Sequence, residues 1–134
     1  MIAARPYVRL GQAILALVAA AFGVATLVAG GRVLAGADPG YVVFRPLLVF
    51  NTAMGVAYLV AAAITWRSIE RGKFAAAAIT LLNLLVFAVI GFLYATGHAV
   101  AIDSLRAMTF RTVVWFALSI GLVWMGRATH PSRT

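Results

Sequence analysis

Residues 46–96 read PLLVFNTAMGVAYLVAAAITW, then RSIERGK, then FAAAAITLLNLLVFAVIGFLYAT. Two runs without a formal charge flank one short, strongly basic stretch. Each run is near the roughly 20 apolar residues that carry an α-helix across a hydrocarbon core about 30 Å thick. The link between them is short, so the two helices should lie side by side and antiparallel. Working outward, residues 10–31 and 107–125 repeat the pattern, and almost every charge falls between the runs. The expectation is an all-α, four-helix transmembrane bundle with up-down antiparallel order. It forms one integral membrane domain over residues 1–134, with helices at about 10–31, 46–66, 74–96 and 104–126.

Composition points the same way. The chain has 134 residues, 64% of them hydrophobic, and a mean hydropathy of +1.03. A soluble domain is usually nearer half apolar. Eleven Lys and Arg against three Asp and Glu give a formal charge of +8. In a soluble protein that excess would suggest nucleic acid. Here the basic residues sit at helix ends, where they meet phosphate headgroups and set orientation. No nucleic-acid partner is therefore expected. Arg5 and Arg9 precede the first run as they would in a secretory signal, but that run is too long for a signal core of 7–15 residues. It reads as a retained first helix.

The basic residues also assign sides. Arg5, Arg9, Arg67, Arg71, Lys73, Arg127 and Arg133 lie on one side of an even-numbered bundle, and Arg32, Arg45, Arg106 and Arg111 on the other. The positive-inside rule then places both termini and the middle loop in the cytoplasm of an inner (plasma) membrane protein. Trp66, Trp124 and Tyr7 fall near the inner interface, Tyr41 and Tyr94 near the outer one, as aromatic belts do.

Within the spans, Ala16, Ala19, Gly23, Thr26 and Gly30 recur at three- and four-residue steps on helix one. Small residues on one face let helix backbones approach closely in lipid. Pro46 opens helix two where its missing N–H costs nothing. Glu70 in the middle loop has Arg67 and Arg71 as ion-pair partners. Asp103 can cap a fourth helix running unbroken through Met125; the alternative is a short interfacial helix before it. The continuous helix is preferred, because residues 112–125 alone are too short to span. That places Arg111 about a turn inside the outer surface, where a guanidinium either snorkels outward or joins a polar cluster. Asn51, at similar depth in helix two, is its natural partner.

A shift of 66 residues aligns the two outer hairpins without a gap. Phe44-Arg45-Pro46 falls on Phe110-Arg111-Thr112, and Gly55 on Gly121. The pairing suggests duplicated hairpins, with Arg45 and Arg111 in equivalent places at the outer face. Those two arginines either pair with Asp38 and Asp103 or hold an anionic group. Asn51, Gly55, Tyr58 and Ala62 share one face of helix two; Thr80, Asn83, Phe87, Gly91 and Tyr94 share one of helix three. Asn and Gln in lipid usually bond across helices. The sharper reading is a lined cavity with Asn51, Tyr58, Asn83 and Arg111 around it. The candidate ligand-binding residues are thus Arg45, Asn51, Tyr58, Asn83 and Arg111.

Chemistry is harder to find. The chain has no cysteine, which removes thiol nucleophiles and thiolate metal sites. His98 and His130 fall on opposite sides, so they cannot together clamp a haem. No Asp or Glu lies within a span, which weakens a proton-coupled carrier. Ser68, Ser104, Ser119 and Ser132 lack a nearby base. No catalytic residue, metal site or cofactor is expected.

The opening Arg9-Leu10-Gly11, followed by a Gly-rich first helix ending in Gly30-Gly31-Arg32, resembles the DoxX-like bacterial membrane proteins. The resemblance covers mostly helix one. It implies a small inner-membrane subunit associated with quinone-linked or redox-stress complexes, and carries over no catalytic residue. The first expectation is accordingly a small non-enzymatic membrane protein, an accessory or assembly subunit of a larger complex or a homo-oligomer. Its partners would be the lipid bilayer and other membrane subunits or further copies of itself. The alternatives are a binder of a lipid, quinone or amphiphilic anion at the outer leaflet, and an oligomeric small transporter or channel.

Overall fold

The computed structural model describes residues 6–129. Arg5, His130, Ser132 and Arg133, which entered the readings of charge and chemistry, lie outside the described residues. Four helices follow one another: α1 (Pro6–Leu34), α2 (Arg45–Arg67), α3 (Ile69–Ala95) and α4 (Ile102–Thr129). All four are long and apolar enough to cross a membrane. They alternate in direction, and the protein is a multi-pass membrane protein built as a four-helix bundle. Segments 35–44 and 96–101 join helices at one end, called here the loop end; Ser68 joins α2 to α3 at the other, the terminus end. The tightest pairs are the two hairpins, α1 on α2 and α3 on α4, and the α1–α4 seam is the slightest of the four.

The outside of the bundle is as apolar as its inside. Leu10, Leu17, Leu81, Leu85, Phe92, Phe116 and Trp124 all stand exposed. In water such a surface would aggregate; in a bilayer it is the lipid face. Burial therefore cannot sort these helices, and packing is decided by size and polarity instead. The small stripe on α1 is buried at Ala16, Ala19, Gly23 and Thr26. Gly23 meets Gly55 of α2: a Cβ added to Gly23 would lie 3.1 Å from the Gly55 carbonyl oxygen, and one added to Gly55 3.2 Å from that of Gly23. The stripe is buried inside the chain, Gly23 against α2 and Thr26 against Arg111 of α4.

Helix ends depart from expectation, each for a local reason. Helix one already includes Pro6, the first described residue, rather than beginning at Leu10. The expected middle loop at 67–73 shrinks to Ser68, because that residue caps both neighbours. Its backbone N–H bonds the Ile64 carbonyl, and its Oγ accepts from the Arg71 N–H at 3.3 Å. Gly72 permits the tight reversal, since a Cβ there would stand 2.8 Å from the Thr65 Cα. Glu70 pairs with Lys73 at 3.2 Å, one turn on along α3, rather than with Arg67 or Arg71. Helix four is continuous, as preferred, but begins at Ile102, so Asp103 sits in its first turn rather than capping it. Asp38 makes a local turn instead of an ion pair: its Oδ1 accepts from the Gly40 N–H at 2.8 Å, with Gly40 at φ +83°.

The core is polar where helices cross. Tyr58 and Asn83 are fully buried and bond one another, α2 to α3, at 3.3–3.4 Å. Thr80 and Ser119 meet at 2.9 Å between α3 and α4. At the terminus end, Gln12 Nε2 donates to the Thr65 and Trp66 carbonyls at 2.8 and 3.1 Å, tying α1 to the last turn of α2.

Candidate functional site

Arg111 is the charge that enters the bundle. It lies nine residues after the start of α4 at Ile102, which at 1.5 Å per residue is about 13 Å along the axis. Helical side chains lean toward their own N-terminus, so this one leans back toward the loop end over Ala107 and Ser104. Thr26 lies at matching depth, eight residues before the end of α1. The two meet: Arg111 Nη1 donates to Thr26 Oγ1 at 3.1 Å. The guanidinium carbon stands 5.9 Å from the centre of the Phe22 ring, a cation–π arrangement.

These residues line a cavity of about 210 Å³ in the loop-end half. Helices α1, α2 and α4 supply Thr26, Asn51, Ser104 and Arg111, and Tyr41, Val43 and Phe44 close it from the first loop. No Asp or Glu is among the lining residues. Two of the polar atoms are buried without a hydrogen-bond partner: Arg111 Nε and Asn51 Oδ1. A guanidinium presents its Nε and Nη2 donors as a side-on fork suited to a carboxylate or a phosphate. Among the described residues that edge meets no acceptor, since the hydrogen bond of Arg111 leaves from Nη1. The Asn51 amide can offer either its oxygen or its NH₂ to the cavity by a half-turn.

The five predicted site residues divide. Asn51 and Arg111 line one cavity, as expected from their depth, but Arg111 bonds Thr26 rather than Asn51. Tyr58 and Asn83 lie deeper and do not line it; each satisfies the other, and Tyr58 stacks on Trp115 with ring centres 4.8 Å apart. Phe22 is the partition, 5.5 Å from Tyr58 on one side and under Arg111 on the other. Arg45 is the first residue of α2, exposed and away from the cavity. Arg45 and Arg111 therefore do not occupy equivalent places: the 66-residue offset aligns the first residue of α2 with one nine residues inside α4. The sequence reading missed Thr26 as an acceptor, Ser104 as a lining hydroxyl and Tyr41 as part of the cover. Thr26 carried one signal, as the hydroxyl on an otherwise Ala- and Gly-rich stripe.

The arrangement can hold a small anion or hydrogen-bond acceptor. Nothing in it supplies a nucleophile with an adjacent base. No family model, curated protein or solved structure matches this chain.

Proposed function

We propose that the chain is a non-enzymatic binding protein of the inner (plasma) membrane, with both termini cytoplasmic, that takes the anionic head of an amphiphile into the outer-half cavity. The observation that carries this is Arg111, half-buried on the wall of a cavity that no carboxylate lines, with its Nε lacking an acceptor. A guanidinium drawn partly out of water within a membrane gains from a counter-charge or strong acceptors, and Thr26 supplies one neutral oxygen. Uncompensated charge favours an anion over a neutral quinone. Size favours a head rather than a whole molecule, because pockets for drug-sized ligands run from about 300 to 1,000 Å³ against about 210 Å³ here. The apolar remainder of the amphiphile stays in the lipid. Orientation rests on the excess of Arg and Lys at the terminus end.

The test is reversible unfolding of the purified protein in mild detergent with decanoate or decanol, which share a tail and differ in charge. Decanoate at ten times its dissociation constant should stabilise the fold by about 1.4 kcal/mol, decanol should not, and Arg111→Gln should erase the difference. Equal effects of acid and alcohol on the natural protein would overturn the proposal.

A further inference from the structure

We propose that the terminus end of the α1–α2 pair carries a second and independent anion site, one that takes the phosphodiester headgroup of an anionic phospholipid in the adjacent leaflet. A pocket of about 380 Å³ lies there, lined by Arg9, Gln12, Ala13, Trp66 and Arg67. Two guanidiniums from two different helices face one space, and no acid lines it. Glu70, the acidic side chain of that end among the described residues, is engaged by Lys73.

The placement is fixed rather than incidental. Gln12 is held by the Thr65 and Trp66 carbonyls. Arg9 stands one turn before Gln12 on the same face of α1, and Arg67 follows Trp66 directly in the chain. The amide thus locks the register that sets the two arginines across one pocket. Neither makes a hydrogen bond or ion pair with the described residues, and both are exposed. Trp66 is 58% exposed beside them, with an apolar ring and an N–H suited to the headgroup level. Two planar forks match the two non-bridging oxygens of a phosphodiester, and basic pockets between helices at a membrane face hold such headgroups. A whole phospholipid fits this place because its tails continue into the bilayer along the apolar outer faces of α1 and α2.

Native mass spectrometry from mixed phosphatidylcholine–phosphatidylglycerol nanodiscs tests it on the full chain. The natural protein should retain phosphatidylglycerol in excess over its share of the bilayer. Arg9→Gln and Arg67→Gln should each reduce that excess about fivefold, near 1 kcal/mol per basic residue, while Arg71→Gln, outside the pocket, leaves it unchanged. An equal loss in Arg71→Gln would mean diffuse charge and would overturn the site, as would an unchanged excess in the double variant. If the Gln variants fail to fold, Arg9→Lys with Arg67→Lys keeps the charge and removes the forks; a reduced excess supports the site and an unchanged one overturns it. Displacement of the lipid by millimolar inorganic phosphate would reassign the site to free phosphate and sink the lipid proposal. Retention against phosphate supports it. Repeating the comparison in an Arg111→Gln background tells the two sites apart: the fivefold losses persist there if the terminus-end pocket holds the lipid, and vanish, overturning this site, if the retained lipid sat in the outer cavity.

Discussion

Replacing Arg111 by Met should make the ligand-free bundle more stable, not less. The side chain stays unbranched, ends where the guanidinium begins, and loses its charge. Lost with the guanidinium are its bond to Thr26 and its contact with the Phe22 face. Such a charge-assisted bond contributes roughly 1.5 kcal/mol at the lower end of its range, and an exposed-type cation–π contact about 0.5 kcal/mol. Against this, carrying Arg toward the middle of a bilayer costs roughly 2.5–3.5 kcal/mol on insertion scales. The buried Nε without an acceptor shows that this cost is not fully offset by the protein. The balance favours Met by about 1 kcal/mol, the common sign when a binding residue is traded for packing. Unfolding in mixed micelles with rising dodecyl sulfate, followed by tryptophan fluorescence, measures it. A loss of about 2 kcal/mol in Arg111→Met, comparable to a severed charge-assisted bond, would refute the reasoning. It would make the arginine a strut between α1 and α4.

The α1–α2 contact predicts opposite outcomes for two glycines in the same helical conformation. Gly91→Ala meets nothing within 4 Å and should gain up to about 1 kcal/mol of helix propensity; in Gly55→Ala the new Cβ lies 2.7 Å from Leu27 Cγ, and overpacking of roughly 1–3 kcal/mol should outweigh that gain. Equal stability of the two variants in the same unfolding assay would remove the close approach of α1 and α2. For the buried Tyr58–Asn83 pair, Tyr58→Phe should cost about 1–3 kcal/mol by stranding the amide, while Tyr58→Phe with Asn83→Leu should recover most of it. A double variant worse than the sum of the singles would show that the pair does not act as one unit.

Why the spans were legible and their polar contacts were not comes down to range. Crossing a bilayer is a demand on composition over some twenty residues, and any reader of residues 46–96 meets it. Helix ends depend on single groups instead. Ser68 ends one helix and starts another only because Gly72 lets α3 fold back onto Thr65, and that contact is tertiary. The same holds for the site. Asn51 and Tyr58 share a face of α2, but they stand seven residues apart, about 10 Å along the axis. That distance puts one in the cavity and the other beneath Phe22, in the core. Arg45 and Arg111 share a local motif but not a position in their helices, so one remains at the surface and the other enters the bundle.

Two of the three orphaned polar atoms among the described residues belong to residues that line one cavity, and that coincidence argues for ligand binding more strongly than either residue does alone. In lipid no solvent competes for a stranded donor or acceptor, so a packing residue without a partner is a pure cost. Gln12, Tyr58, Asn83, Thr80 and Ser119 obey this, each bonded across to a neighbouring helix. Trp115 Nε1 is the exception inside the core, where the indole is held by its stacking on Tyr58. The other two orphaned atoms belong to Asn51 and Arg111, residues that line one cavity under the first loop. Had they served packing, the nearest solution was their bond to each other, since both line the same space. They leave that bond unmade, beside a volume that no acid lines. On the proposed reading, a partner from outside the chain completes what the helices leave open there.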